Sequence, residues 1–485
     1  MSGKVYSQFG GNNLFDFQLG NVPGSEPEGL ISNYDQLNLN YRYKGFKASG
    51  RFEYFINQFQ ERRYFSPSQL QVQYKVKSFS FKAGNFYDML GNGLLLRAYD
   101  IPSSVFESQG YRVRHGFYKD LLGASGEYSG EVFRLKALYG KTLVNVLPPT
   151  LDWKERRGDD IYAVNPGISL WNQNIDLNYL YSTNTGEASH YSSVNLTGNL
   201  PFDFSYNLEM AAELGKGAPL FSSPESSRAL YASLMYSGWK FGGSLEWKDY
   251  RNFLFGTGFN DPPTLVKEHS YKVLNRSTHV PQLNHETGFQ AELYYRSESG
   301  HMLTLNSSRA RNESFRIYIF EEYFAELYSP IGESASIKWF LDFARDPFKD
   351  ESHRYAGGGI FETPVFGKWN TLTELEYQYI ERTGFLPGAV HNWVLIAGLS
   401  RGTRMSFSFT WELSTDPFQT DDPATLEIER GNRHWIGVDA KYKISKHHTL
   451  AVFAGQRRGG PSCTSGICYE VLDFTGMELR LTSKF

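Results

Sequence analysis

Apolar and polar residues alternate in this chain over about a dozen positions at a time, and the pattern recurs at intervals of about 20 residues or less from Gly11 to the C-terminus. Phe202, Phe204, Tyr206, Leu208, Met210, Ala212 and Leu214 alternate with Asp203, Ser205, Asn207, Glu209, Ala211 and Glu213. Met405, Phe407, Phe409 and Trp411 do the same against Arg404, Ser406, Ser408, Thr410 and Glu412. A period of two sends successive side chains to opposite faces of a β-strand, so each strand has one oily and one wet face. Strands of soluble sandwiches average about 5 to 6 residues. A dozen residues at about 3.3 Å each, tilted by about 45°, cross an apolar slab of about 25 to 30 Å. The expected fold is therefore all-β, a transmembrane antiparallel up-and-down barrel of about 24 strands within a range of about 20 to 26.

Composition and turn lengths agree. Only 40% of the 485 residues are hydrophobic, yet 16% are aromatic, more than a packed interior of that apolar content needs. An outer face rimmed with Tyr, Phe and Trp at the membrane interfaces gives them a place. Trp239, Trp247, Trp339, Trp411, Phe407 and Phe409 are expected to face lipid. The longest apolar runs, such as Val394 to Leu399, fall well short of the roughly 18 residues a membrane helix needs. Tight turns such as Tyr43-Lys44-Gly45-Phe46 and Ser400-Arg401-Gly402-Thr403 alternate with long connections over 57–68, 88–108, 141–159, 251–286, 414–431 and 458–471. Short periplasmic turns facing long external loops are the asymmetry of an outer-membrane barrel, here one domain over 1–485. Strand positions follow, including one at 109–117, with the stretch from Phe117 to Gly130 ambiguous.

The net charge of -3 leaves no field for nucleic acid. The expected partners are the lipid bilayer of the outer membrane, lipopolysaccharide and other outer-membrane proteins. Cys463 and Cys468 are expected to pair in the last external loop, closing a small ring that contributes about 2 kcal/mol or less. Two free thiols are the alternative. Met1-Ser2-Gly3-Lys4 lacks the apolar core of a secretory leader, and a mature or engineered start is expected.

The last residues, with Met477, Leu479, Leu481, Ser483 and a final Phe485 on one parity, resemble the C-terminal targeting signal of bacterial outer-membrane barrels. Three further runs are similar to those of large uncharacterised outer-membrane proteins of the Bacteroidota and their relatives. They are Gly84-Asn85-Phe86-Tyr87 with Gly91-Asn92-Gly93-Leu94-Leu95-Leu96-Arg97-Ala98-Tyr99, then Pro262 to Tyr271 with Leu274-Asn275-Arg276, and Gly455-Gln456-Arg457-Arg458-Gly459-Gly460. The resemblance implies fold and location and no catalytic residue.

No nucleophile elbow, zinc-protease motif, phosphate loop or haem attachment motif is found, and neither an enzyme nor a cofactor is expected. His269, His279, His285 and Glu286 could offer metal ligands, but their spacings match no known site, and no metal is assigned. Inward parity predicts that Lys47, Arg51, Glu53, Glu246, Lys248, Glu292, Arg296, Glu374, Glu376, Asp439, Lys441, Glu478 and Arg480 line the lumen. A wall of mixed charge requires water or a polar plug. The 251–286 loop, with Phe253 and Phe255 for packing and Lys267, Glu268, His269 and Arg276 for polar contacts, is the expected constriction. The expected function is a porin-like conduit for a polar solute; the alternative is a non-transporting scaffold of a secretion, motility or surface-protein complex.

Overall fold

The computed structural model describes residues 7–149, 153–184, 187–215, 227–314, 316–384, 386–420, 431–464 and 467–485. Among these residues, 24 antiparallel strands pair into one closed sheet. The order is up-and-down: Gln8–Asn21 pairs with Ile31–Tyr43, which pairs with Phe46–Asn57, and so on around the wall. The ring closes between the first strand and the last, Phe474–Lys484. There Asp16 lies opposite Arg480 and accepts a hydrogen bond from its guanidinium at 2.6 Å, while Gln18 donates to Glu478 at 2.9 Å. Closure satisfies the backbone groups that an open edge would leave bare in lipid.

The alternation seen in the sequence becomes an inside and an outside. Along Phe474–Lys484, Met477 and Leu479 are exposed and Glu478 is buried; along Met405–Ser414, Phe407 and Phe409 are exposed while Glu412 and Ser414 are buried. Trp239, Trp247 and Trp339 are also exposed, and Trp411 is half-buried. Monomeric soluble proteins rarely carry continuous apolar surface beyond a few hundred Å². An apolar face that recurs on strand after strand therefore belongs in lipid, and the barrel is a transmembrane one. Among the described residues no helix is long and apolar enough to cross a membrane.

The wall strand expected at 109–117 lies elsewhere. Val113–Lys119 pairs with Tyr99–Ser108 in a separate hairpin, and Leu121–Ser129 takes the place in the wall between Phe79–Phe86 and Phe133–Leu143. The total of 24 stands because one strand replaced another. Val113 to Tyr118 is buried at every position, as a strand inside the barrel must be. Leu121–Ser129 carries Ala124 and Gly126 on its outward parity and so offers a weak outward apolar signal.

Gly123 of the same strand has a geometric role: it lies opposite both Gly84 and Gly140. A Cβ on Gly84 would stand 2.1 Å from the Leu70 carbonyl oxygen, and one on Gly123 2.1 Å from that of Tyr139. A second row crosses the closure, where Gly476 lies between Gly20 and Gly455. Side-chain-free rows are the positions at which a sheet can bend sharply, and the wall carries two of them. Cys463 and Cys468 are directly opposite in the hairpin Gly460–Thr464 with Ile467–Val471; their side chains lie outside the described residues.

Candidate functional site

Three connections from the long-loop side pack against the inward face of the wall. The first spans 87–120, with a short ribbon of Met89–Leu90 and Leu96–Arg97 followed by the hairpin Tyr99–Ser108 with Val113–Lys119. The second spans 252–284 and contains the helix Lys272–Arg276. The third is the hairpin that carries the cysteines.

Apolar packing seats them. Leu94, Leu95 and Leu96 of the first insert and Phe253, Phe255, Phe259 and Leu265 of the second share one buried cluster with Leu180, Tyr191 and Tyr231 of the wall. Phe255 stacks on Tyr191 at 3.9 Å between ring centroids. Farther around, Tyr271, Val273 and Leu274 pack on Phe324, Phe340 and Val394, and Tyr271 stacks on Phe340 at 3.8 Å. Ile467 and Tyr469 of the third insert rest on Phe117 and Ile101 of the first. The inserts thus form a joined interior body against a wall whose inward side is part apolar and part charged.

The charged part holds them in register. Arg51 pairs with Asp100 of the first insert at 2.8 Å. Glu53 accepts hydrogen bonds from the Gly116 backbone N–H at 2.8 Å, the Ser68 hydroxyl at 2.7 Å and the Tyr34 hydroxyl at 3.0 Å. Asp16 takes Arg114 of the same insert at 2.6 Å on one oxygen and Arg480 of the closing strand on the other. Glu209 receives the Asn92 backbone N–H at 2.6 Å, just beyond Gly91, where a Cβ would stand 2.1 Å from that carboxylate. The glycine in this turn lets the chain reach it.

The second insert is held in the same way. Lys248 pairs with Glu286 at 2.6 Å and donates to the Thr264 carbonyl. Lys267 pairs with Glu292, and Arg276 and Lys272 both reach Glu412. Glu376 accepts the backbone N–H groups of Lys272 and Val273 at 3.1 and 2.8 Å, satisfying two donors that open a helix. Glu246 accepts from the Tyr231 hydroxyl at 2.7 Å. Most of the candidate wall charges therefore have partners, several of them on the inserts. Lys47, Arg296, Glu374, Asp439 and Lys441 lie nearer the tight-turn ends and are half-buried or exposed, lining a wetter half.

Within the constriction candidate, Phe253 and Phe255 are buried, Glu268 is exposed, and His269 is buried beside Glu322 at 3.3 Å. His269, His279, His285 and Glu286 do not converge as a set. His279 pairs with Asp346 at 2.8 Å and lies 3.6 Å from Glu286, whereas His269 is at a separate cluster. Burial disfavours the His279 imidazolium, but its hydrogen bond to Asp346 and the nearby Glu286 outweigh this and push it up to about 8. His115, in the first insert, goes the other way: burial and the Arg156 guanidinium bring it down to about 4.

Sequence reading missed Asp16, Glu209, Glu322, Arg354 and Glu412 as anchors. Their inward parity was readable; which of many inward charges meets an insert was not, because that depends on the path of the loops.

Comparison with curated protein sequences finds no match. Among solved structures, the chain is similar to the translocation pore of the P pilus usher PapC, at 10% identity, TM-score 0.48, and coverage of 98% of this chain and 99% of that one. It is similar to OpdQ of Pseudomonas aeruginosa at 11% identity and TM-score 0.43, covering 78% of this chain and 99% of that chain. For the ferric citrate transporter FecA in its unliganded form the values are 10% and 0.44, with 100% and 79% covered. Residues 3–144 match the model of a family of unknown function, DUF6029, a stretch that contains the first insert and its glycine-rich turn.

Proposed function

We propose that this barrel resides in a bacterial outer membrane and is a gated conduit for a polar solute, closed from the long-loop side by the inserts at 87–120 and 252–284. The setting, with lipopolysaccharide and other outer-membrane proteins as neighbours, follows the strand lengths and the turn asymmetry; the runs resembling Bacteroidota proteins suggest the source. The observation that carries the reading is the split of the inward face. Toward the tight turns, residues such as Asp439 and Lys441 are exposed, while toward the long loops the wall charges are engaged by inserts that run outside the barrel's hydrogen-bonded ladder. Such inserts can leave without unmaking the wall.

A second reading is favoured by the apolar cluster that joins both inserts to the wall. A core of that kind suits a permanently filled barrel acting as a scaffold. Single-channel recordings on the parent and on a deletion of 253–283 separate the two. The conduit reading expects a small or rare conductance in the parent and a large steady one in the deletion; silence in both favours the scaffold.

A further inference from the structure

The buried cluster between the second insert and the wall has the composition of a cation site. His269 comes from the insert, Glu322 from the strand Tyr318–Ile331 and Asp342 from the neighbouring strand Ala335–Asp346. All three are buried, and each offers a ligand atom within 4.8 Å of the others. Arg354, from the next strand, binds one oxygen of each carboxylate: Glu322 Oε1 at 2.6 Å and Asp342 Oδ1 at 3.1 Å. The second oxygens, Glu322 Oε2 and Asp342 Oδ2, have no hydrogen-bond partner, nor has either ring nitrogen of His269, whose side chain is 1% exposed.

A buried polar atom without a partner is costly, and four of them belong to the same three residues whose ligand atoms lie within 4.8 Å of one another. The guanidinium also faces a third carboxylate, Glu351, at 3.4 Å, so its charge is shared among three acids. His269 Nε2 stands 3.3 Å from Glu322 Oε1. Two ligands of a tetrahedral ion with bonds of about 2.0 to 2.1 Å lie about 3.3 to 3.4 Å apart. Terminal carboxylate torsions are soft, so turning Glu322 and Asp342 can bring their oxygens to that spacing.

We propose that His269, Glu322 and Asp342 bind one divalent transition-metal ion of the Zn²⁺ or Co²⁺ class, with Arg354 orienting both carboxylates. One imidazole with two carboxylates suits such an ion and leaves a coordination position for water. Because His269 lies on the insert and both acids on the wall, the ion clips one to the other. The site holds whether the lumen conducts or is filled.

The test is titration of the metal-stripped, refolded full chain with Co²⁺, followed by visible absorption and by metal analysis after desalting. The expected result is one equivalent of Co²⁺ per chain, displaced by Zn²⁺, with affinity at least tenfold lower in His269→Ala and unchanged in His285→Ala. The parent measurement does not depend on any variant folding. Failure of the parent to retain Co²⁺ or Zn²⁺ at micromolar concentration would overturn the proposal and leave protons to neutralise the cluster. Equal retention by His269→Ala, checked as folded by circular dichroism, would overturn it too.

Discussion

Lys248 and Glu286 are wholly buried, and each makes the other tolerable. Removing one takes away the other's nearest counter-charge in a dry place, with a cost of up to about 3 to 5 kcal/mol, less for Glu286 because His279 lies 3.6 Å from it; replacing both by apolar residues of similar volume costs far less. Lys248→Met and Glu286→Leu should each strip protease protection from the second insert, and the double variant should recover most of it. Limited proteolysis in detergent checks this; a double variant worse than either single one would reject the account. His279 adds a pH dependence with a definite sign. Its folded value of about 8 lies above the usual imidazole value of about 6.5, so its contribution is complete below about pH 6.5 and is lost as pH rises through 8, amounting to about 2 kcal/mol. His115, brought down to about 4, does the reverse: its contribution is full above about 6.5 and falls away as pH drops toward 4. Hydrogen exchange should therefore show the 252–284 insert loosening between pH 6.5 and 9, and the 99–119 hairpin between pH 6.5 and 4. His279→Asn should flatten only the first trend.

At the scale of elements, the glycine row at closure is a sharp constraint. A Cβ on Gly476 would stand 2.1 Å from the Leu19 carbonyl oxygen, a backbone atom that cannot step aside without moving a strand. Gly476→Ala should lower the yield of refolded barrel severely, while Gly29→Ala, where a Cβ meets nothing within 4 Å, should refold as the parent does. Heat-modifiable gel mobility reports both. Small residues also explain the one misplaced strand. Beside Gly123, opposite Gly84 and Gly140, the wall strand Leu121–Ser129 carries only Ala124 and Gly126 between Leu122 and Tyr128 on its outward parity, and so lacks the bulky apolar alternation by which its neighbours were recognised. The stretch 109–117, with Tyr111, Val113 and Phe117 on one parity and Arg112 and Arg114 on the other, alternates well enough to mimic a wall strand, yet Val113 to Tyr118 is buried on both faces. Local pattern reports one face wet and one dry; it does not report which side of a wall a hairpin lies on. For the hairpin at 460–471, register places Cys463 opposite Cys468, and unreduced peptide mapping should find them joined, with refolding unaffected by Cys463→Ser because the ring is short.

For the whole molecule, strand number, order and the two faces were legible because a membrane imposes one rule on every wall strand. The inserts obey no such rule, and their anchors Glu209, Glu322 and Glu412 became visible only when distant parts of the chain were brought together. That division sets a contrast within a single strand, Met405–Ser414. Phe409 is exposed on the outer face near the strand's middle, and its neighbour Ser408 has the opposite parity, toward the lumen. An arginine on the lipid face near the midplane costs about 2 to 4 kcal/mol, since it must drag water or headgroups to itself or remain undersolvated. An arginine one residue away, on the wet side, keeps its hydration and joins a wall already mixed in charge. Phe409→Arg should accordingly lower the unfolding free energy obtained from urea titration in liposomes by that amount, and Ser408→Arg should leave it nearly unchanged. Equal effects at the two positions would mean that both faces of this strand meet the same medium, and the transmembrane orientation of the barrel would fail with them.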